Sequence, residues 1–260
     1  MTWGFKRQLL YISVLAGFFL VFGFLLIYPQ FNKPPTCVDG KMNGTETGID
    51  CGGSCLNACL AEVEKIEMLW ARAFQVVPGR YNALAYLANH NKGAVARQVN
   101  YRFQFFDESN IYIGERRGST FIPPSGNFAI FESGVNLGEA APVYTNFEIL
   151  GEPNWIQAPL EKINQTKISL SNIEFANPAT APRLSATIKN TSLFTIPEIS
   201  VIAILYDSMG NAVSASGTYL DKLSAQESRQ IVFTWPEPFT VPIIQKELIP
   251  LYDISKVEWR

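Results

Sequence analysis

The stretch NYRFQFFD (Asn100–Asp107) decides the fold: Tyr101, Phe103 and Phe105 fall on one side of an extended chain, Arg102 and Gln104 on the other. A period of two buries one face of a β-strand and wets the other. The same organisation returns about 100 residues later. The run YRFQFFDESNIYIGERRGSTFIPPSGNFAIF (Tyr101–Phe131) lines up with VIAILYDSMGNAVSASGTYLDKLSAQESRQIVF (Val201–Phe233). Each has an apolar strand ending in aromatic-Asp, a short turn, a second strand, a polar loop, and an apolar strand ending in Phe. Phe106-Asp107 corresponds to Tyr206-Asp207, and upstream LANHN (Leu87–Asn91) corresponds to IKNTS (Ile188–Ser192). A carboxylate at the end of such a strand can cap the turn that follows it. The chain therefore reads as one duplicated β-domain.

Outward from these runs the pattern stays β. In the first half strands are expected at Tyr81–Asn89, Gln98–Asp107, Asn110–Glu115, Gly118–Ile122, Asn127–Glu132 and Val143–Leu150. In the second half they are expected at Ile168–Phe175, Arg183–Asn190, Glu198–Asp207, Ala212–Leu220, Ser228–Trp235 and Leu251–Trp259. Turn formers such as VPG, NHNKG, DESN and PPSGN separate them. Leu150–Lys167 reads as a linker. Leu60–Val76 is ambiguous: Glu62, Glu64 and Glu67 suit a helix start, while Ile66, Met68, Trp70, Phe74 and Val76 approximate a strand. Short strands at this spacing, without helical periods between them, argue for immunoglobulin-like β-sandwiches.

The N-terminus is of another kind. Leu9–Tyr28 (LLYISVLAGFFLVFGFLLIY) carries no charge, and at 1.5 Å per residue it spans a hydrocarbon core of about 30 Å. Lys6 and Arg7 precede it and Lys33 follows, so the positive-inside rule keeps the N-terminus in the cytoplasm and exports the rest. The apolar run exceeds a signal-peptide core and no small-x-small cleavage site follows, so an uncleaved signal-anchor is expected. The cysteines agree with export. Cys37, Cys51, Cys55 and Cys59 all lie in one short segment, which in an oxidising compartment means two disulfides with three pairings open. Zinc is the rival for C-x3-C-x3-C, although zinc knuckles usually show C-x2-C.

The expected layout is a mainly β chain: a cytoplasmic tail at 1–8, a transmembrane helix at 9–28, a small disulfide-rich module at 34–60, and two tandem immunoglobulin-like β-sandwiches at 62–155 and 160–260. With a net charge of -2 and scattered Lys and Arg, no basic stripe exists for phosphates, so nucleic acid is not an expected partner.

Within the module, Asp39, Asn43, Glu46 and Asp50 offer hard oxygen ligands every three or four residues among glycines, a chemistry that suits Ca2+. The spacing is not that of an EF-hand. The same Asp-Gly and Asn-Gly pairs are also turn formers whose side chains bond nearby amides. Both readings stand at this point: calcium site or metal-free staple.

FQFFD (Phe103–Asp107) and AILYD (Ala203–Asp207) resemble the F-x-L-Y-D signature of a family of small bacterial and archaeal β-sandwich domains. The first copy has Phe for both Leu and Tyr, and the second has Ala for the leading Phe. CVDGKMNGTETGIDCGGSC (Cys37–Cys55) is similar to a Cys-rich module, C-x-D-G-x2-N-G-x-E-x-G-x-D-C-G-G-x-C, found near anchors and between repeats of exported bacterial proteins. The resemblance implies an exported or membrane-tethered protein and no defined activity.

For catalysis the sequence offers little. His90 is the one histidine and sits in NHNKG, and no G-x-S-x-G, H-E-x-x-H, Walker A or G-x-G-x-x-G pattern is present. Catalytic residues and cofactors other than Ca2+ are therefore not expected. Gly114–Phe128, with Arg116, Arg117 and Phe121, is a candidate interface loop, the plain alternative being strand residues facing a core. Thr234–Ile244 (TWPEPFTVPII) is a Pro-broken apolar segment that can cover a sheet edge. Expected partners are the membrane and other envelope proteins. The expected function is non-enzymatic: interaction, spacing or complex assembly at the outer face of the membrane. A glycan- or peptide-binding receptor is the alternative, and a hydrolase the remote one.

Overall fold

The computed structural model describes residues 3–31 and 34–258. It is mainly β. Helix α1 (Trp3–Phe31) is uncharged from Leu9 onward, and within its Trp3–Tyr28 segment an 18-residue window has a mean hydropathy of 2.6. Such a helix is long and apolar enough to cross a membrane, as an anchor or a signal sequence. The chain forms two compact units, one ending at Ser54 and the other beginning at Cys55.

The second unit holds thirteen strands, β1 to β13. Sheet β1 (Glu67–Val77), β2 (Arg80–Asn89), β5 (Gly126–Asn136) faces sheet β4 (Tyr112–Ile122), β3 (Ala94–Phe106), β6 (Tyr144–Leu150), with β7 (Trp155–Gln157) extending the latter along β3. Between these sheets lie Leu87, Phe103, Phe105, Ile122 and Phe128, all nearly inaccessible. The strands that follow repeat the plan. Sheet β8 (Ile168–Ala176), β9 (Arg183–Asn190), β12 (Ser228–Thr234) faces sheet β11 (Ala212–Leu223), β10 (Ile196–Tyr206), β13 (Gln245–Leu251) around Leu184, Ile188, Ile199, Leu205 and Phe233. First-second-fifth against fourth-third-sixth is the order in both, as expected of a duplicated sandwich.

Three local expectations change. The strands expected at Asn110–Glu115 and Gly118–Ile122 are one strand, β4. Gly118 interrupts nothing; a Cβ there would lie 2.3 Å from the Tyr101 hydroxyl, so glycine serves a close approach rather than a turn. The stretch read as a linker contains β7, paired with β3 through Trp155↔Ala96, and helix α2 (Leu160–Gln165). Gly151 (φ 76) and Pro153 break β6, and buried Trp155 and Ile156 resume the strand. The last strand is Gln245–Leu251 rather than Leu251–Trp259. After it Asp253 accepts from Ser255 N at 2.9 Å and caps a 3-10 turn, Ile254–Lys256, while Trp259 lies outside the described residues. Pro250 is tolerated because β13 is an edge strand. The ambiguous segment Leu60–Val76 divides into a 3-10 turn, Leu60–Glu62, and strand β1 from Glu67 onward, so its alternating later part is a strand as expected.

Candidate functional site

All four cysteines are disulfide-bonded, so no thiolate is left to bind zinc or act as nucleophile. In the loop they bound, the backbone turns at Gly40 (φ 72), Gly44 (φ 60) and Asp50 (φ 55). Asp50 accepts at one oxygen from the amides of Asp39 (2.9 Å) and Gly40 (3.1 Å), and at the other from Gly40 again (3.0 Å). Asp39 accepts from Lys41 N (3.0 Å) and from Asn43 Nδ2 (2.9 Å), and the latter bond is the main reason its carboxyl titrates below the usual range. Glu46 accepts from Asn43 N at 3.1 Å. The four residues thus share one loop, and the carboxylates of Asp39, Glu46 and Asp50 accept from its own amides. Asn43 Oδ1 is shielded from solvent and has no partner. Among the described residues, Asp39, Glu46 and Asp50 do not bring three carboxylate oxygens within 4.8 Å of one another. Calcium takes six to eight oxygens at about 2.3–2.6 Å, more than these carboxylates bring together at one point.

The duplicated turns are hydrogen-bonded alike. Asp107 Oδ1 accepts from the amides of Ser109 (2.9 Å) and Ile111 (2.8 Å); Asp207 Oδ1 accepts from those of Met209 (2.9 Å) and Asn211 (2.9 Å). Left-handed Asn110 (φ 60) and Gly210 (φ 78) occupy the same place. The Asn shared by LANHN and IKNTS is a buried pin. Asn89 Nδ2 donates to the carbonyls of Ala94 and Pro123, and Asn190 Nδ2 to those of Phe194, Leu223 and Ser224. Asn190 is wholly inaccessible, so its sequon (Asn190-Thr-Ser192) cannot be glycosylated on the folded chain. Asn164, in a second sequon, is exposed.

The two sandwiches pack on each other through a third apolar cluster. Phe74, Leu84, Tyr86 and Ala129 of sheet β1-β2-β5 meet Ile202, Ile204, Ala215 and Ile249 of sheet β11-β10-β13. Polar groups fix the register. Tyr86 and Tyr206 both donate to the Glu247 carboxylate at 2.7 Å, Arg72 donates to Ala212 O, and Asn82 Nδ2 to Ala215 O. Burial, followed by the carboxylate bond, pushes both phenols above their ordinary pKa.

Residues expected as interface anchors fall elsewhere. Arg116 pairs with Glu132 (2.9 Å) and Arg117 with Glu115 (2.7 Å) along β4, while Phe121 packs on the first core. Trp235, Phe239 and Ile243 of the Pro-broken segment cover the second core, with Trp235 Nε1 donating to Ser214 Oγ at 2.9 Å. His90 meets Glu67 at 2.8 Å, both half-exposed. A surface not foreseen lies at the Asp107 corner: Ile111, Tyr112, Val143 and Tyr144 stand 61%, 49%, 57% and 55% exposed. Phe106 pairs with Tyr112 on β4 and with Tyr144 on β6, which sets the two tyrosines on one face of the sheet, on either side of Phe106. The signal was available in NIYIG and PVYT, apolar residues crowded next to turn formers. Compared with protein-family models and with curated proteins, the chain finds no match.

Proposed function

We propose that the chain is a non-enzymatic, single-pass membrane protein. Its N-terminus is cytoplasmic, and its disulfide module and paired sandwiches serve protein interaction, spacing or complex assembly outside the membrane. The observation that carries this reading is the exposed Ile111/Tyr112/Val143/Tyr144 corner. Contiguous exposed apolar residues with tyrosines are typical anchors of protein interfaces. At the equivalent place in the second sandwich Ala212, the counterpart of Tyr112, is covered by the first sandwich, while Ile244, the counterpart of Val143, stays exposed. The disulfides and the apolar helix support export and anchoring. The likeness of Phe103–Asp107 and Ala203–Asp207 to exported F-x-L-Y-D domains points the same way. We read the Cys module as a metal-free staple, because Asp39, Glu46 and Asp50 already serve backbone amides.

The test is affinity capture of the full chain from native membranes, beside a Tyr112→Ser/Tyr144→Ser variant. Envelope proteins held by the parent and lost by the variant are the expected result. An identical set from both would overturn the assignment of this corner.

A further inference from the structure

Where the two sandwiches part, the apolar interface gives way to a crevice of about 410 Å³. On β10 the residues facing the first sandwich run Ile204, Ile202 and then Ser200; on β5 they run Ala129, Phe131 and then Ser133. The seam ends where the Phe131 ring lies over Gly217: a Cβ there would come within 2.9 Å of it. Beyond this point Ser200 and Ser133 continue the two facing walls, with Tyr219 beside Ser200 on the same face of the sheet. Among the described residues neither serine hydroxyl has a hydrogen-bond partner within the protein. The contrast is with Ser192, Thr191 and Ser214, whose hydroxyls are all engaged.

Two further features restrict what could enter. No Asp, Glu, Lys or Arg lines the crevice. Nearby Glu132 is already occupied, accepting from the Tyr101 hydroxyl (2.7 Å) and Arg116 Nε (2.9 Å). A charged ligand would lose hydration and find no countercharge. Aromatic surface is also present, with Phe131 at the floor and Tyr219, 56% exposed, at the mouth opposite Ser200. Hydroxyl side chains both donate and accept, and so match ligand hydroxyls in many orientations. An aromatic ring face is electron-rich and attracts the weakly positive C–H edges of a saturated ring. The volume lies in the lower part of the usual range for small-ligand pockets, ~300–1,000 Å³.

We propose that this inter-sandwich crevice binds a neutral oligosaccharide segment, with Tyr219 stacking against a sugar ring and Ser200 and Ser133 hydrogen-bonding its hydroxyls. The proposal is independent of the apolar corner and goes beyond the interaction role, since it names a small-ligand site between the repeats.

The test uses the full chain in a detergent without a sugar head group. Titration calorimetry and saturation-transfer NMR are run with cellobiose, maltose and N,N′-diacetylchitobiose, with digalacturonate and trialanine as controls. Saturable binding of at least one neutral disaccharide is expected. It should be abolished in Tyr219→Ala and weakened about 2- to 10-fold by each of Ser200→Ala and Ser133→Ala. Should Tyr219→Ala melt abnormally, the two serine variants decide. Absence of saturable binding by all three sugars, preference for digalacturonate or trialanine, or undiminished affinity in the variants would overturn the proposal.

Discussion

Replacing Ile202 by Arg and Ile204 by Gln would give the second sandwich the residues that the first carries at the equivalent positions, Arg102 and Gln104. The two isoleucines are 2% and 0% exposed at the centre of the interface between the sandwiches. Each buried aliphatic side chain contributes about 1.5–3 kcal/mol of hydrophobic stabilisation. Each introduced polar group left unpaired there costs about 1–3 kcal/mol more. The interface should therefore lose about 5–12 kcal/mol, comparable with the whole stability of a typical domain. Each sandwich keeps its own core, Leu184, Ile188 and Phe233 in the second, so the expected outcome is separation rather than general unfolding. Calorimetry of the full chain should show one cooperative transition for the parent and two for the variant, and small-angle scattering should show a larger radius of gyration. A single transition at the parent temperature with unchanged scattering would refute the claim that this cluster unites the sandwiches.

Other perturbations follow from the same geometry. Asn190→Ala removes the donor to Phe194, Leu223 and Ser224 carbonyls in a dry site, and should lower stability by about 3–5 kcal/mol in chemical denaturation, whereas Asn164→Ala on the exposed helix α2 should change it little. For the Cys module, calcium and chelator should leave the melting temperature unchanged while Asp50→Asn lowers it; a calcium-dependent rise would reverse the metal-free reading. Tyr86 and Tyr206 ionise at higher pH in the folded chain than the ordinary 10.0, so their contribution is complete below that pH and declines as the pH rises above it, when the unfolded chain releases protons first. Tyr206→Phe should flatten the loss of stability above pH ~10, as monitored by tyrosinate absorbance together with circular dichroism.

The sandwiches were legible because the buried face of β3 alternates with a wet one, and because the Asp107 and Asp207 turns carry their own caps. What escaped was any feature set by a neighbour rather than by the strand itself. Gly118 looks like a break until the Tyr101 hydroxyl is placed above it. Trp155 and Ile156 sit among Gly, Pro and Asn, and only pairing with β3 identifies them as strand. The interface between the sandwiches did leave a trace. ALAYLA (Ala83–Ala88) and VIAILY (Val201–Tyr206) are continuously apolar where YRFQFF alternates. Continuous apolar strands are those covered on both faces, which is the condition of β2 and β10 here. For the Cys module the sequence supplied the right residues and left their use open, since a carboxylate near an Asp-Gly turn serves an amide or an ion equally well until its direction is known.

The same comparison distinguishes the faces that join the two sandwiches from those left free. The interface joins the β1-β2-β5 face of the first sandwich to the β11-β10-β13 face of the second, two different surfaces, and such a contact could in principle continue from copy to copy. Its continuation would need the β8-β9-β12 face to resemble β1-β2-β5. Instead Ser185, Thr187 and Lys189 stand where the first sandwich has Leu84, Tyr86 and Ala88. On the other free face, Arg102 is bonded to Glu148 and Glu115, where the second sandwich has Ile202. These polar faces do not suit the same packing, because burying them would strand charges and hydroxyls without partners. The apolar Tyr112/Tyr144 corner therefore does not match the free face of a second copy. Its occupant under the interaction reading must bring an apolar surface of its own, as the first sandwich does for Tyr206.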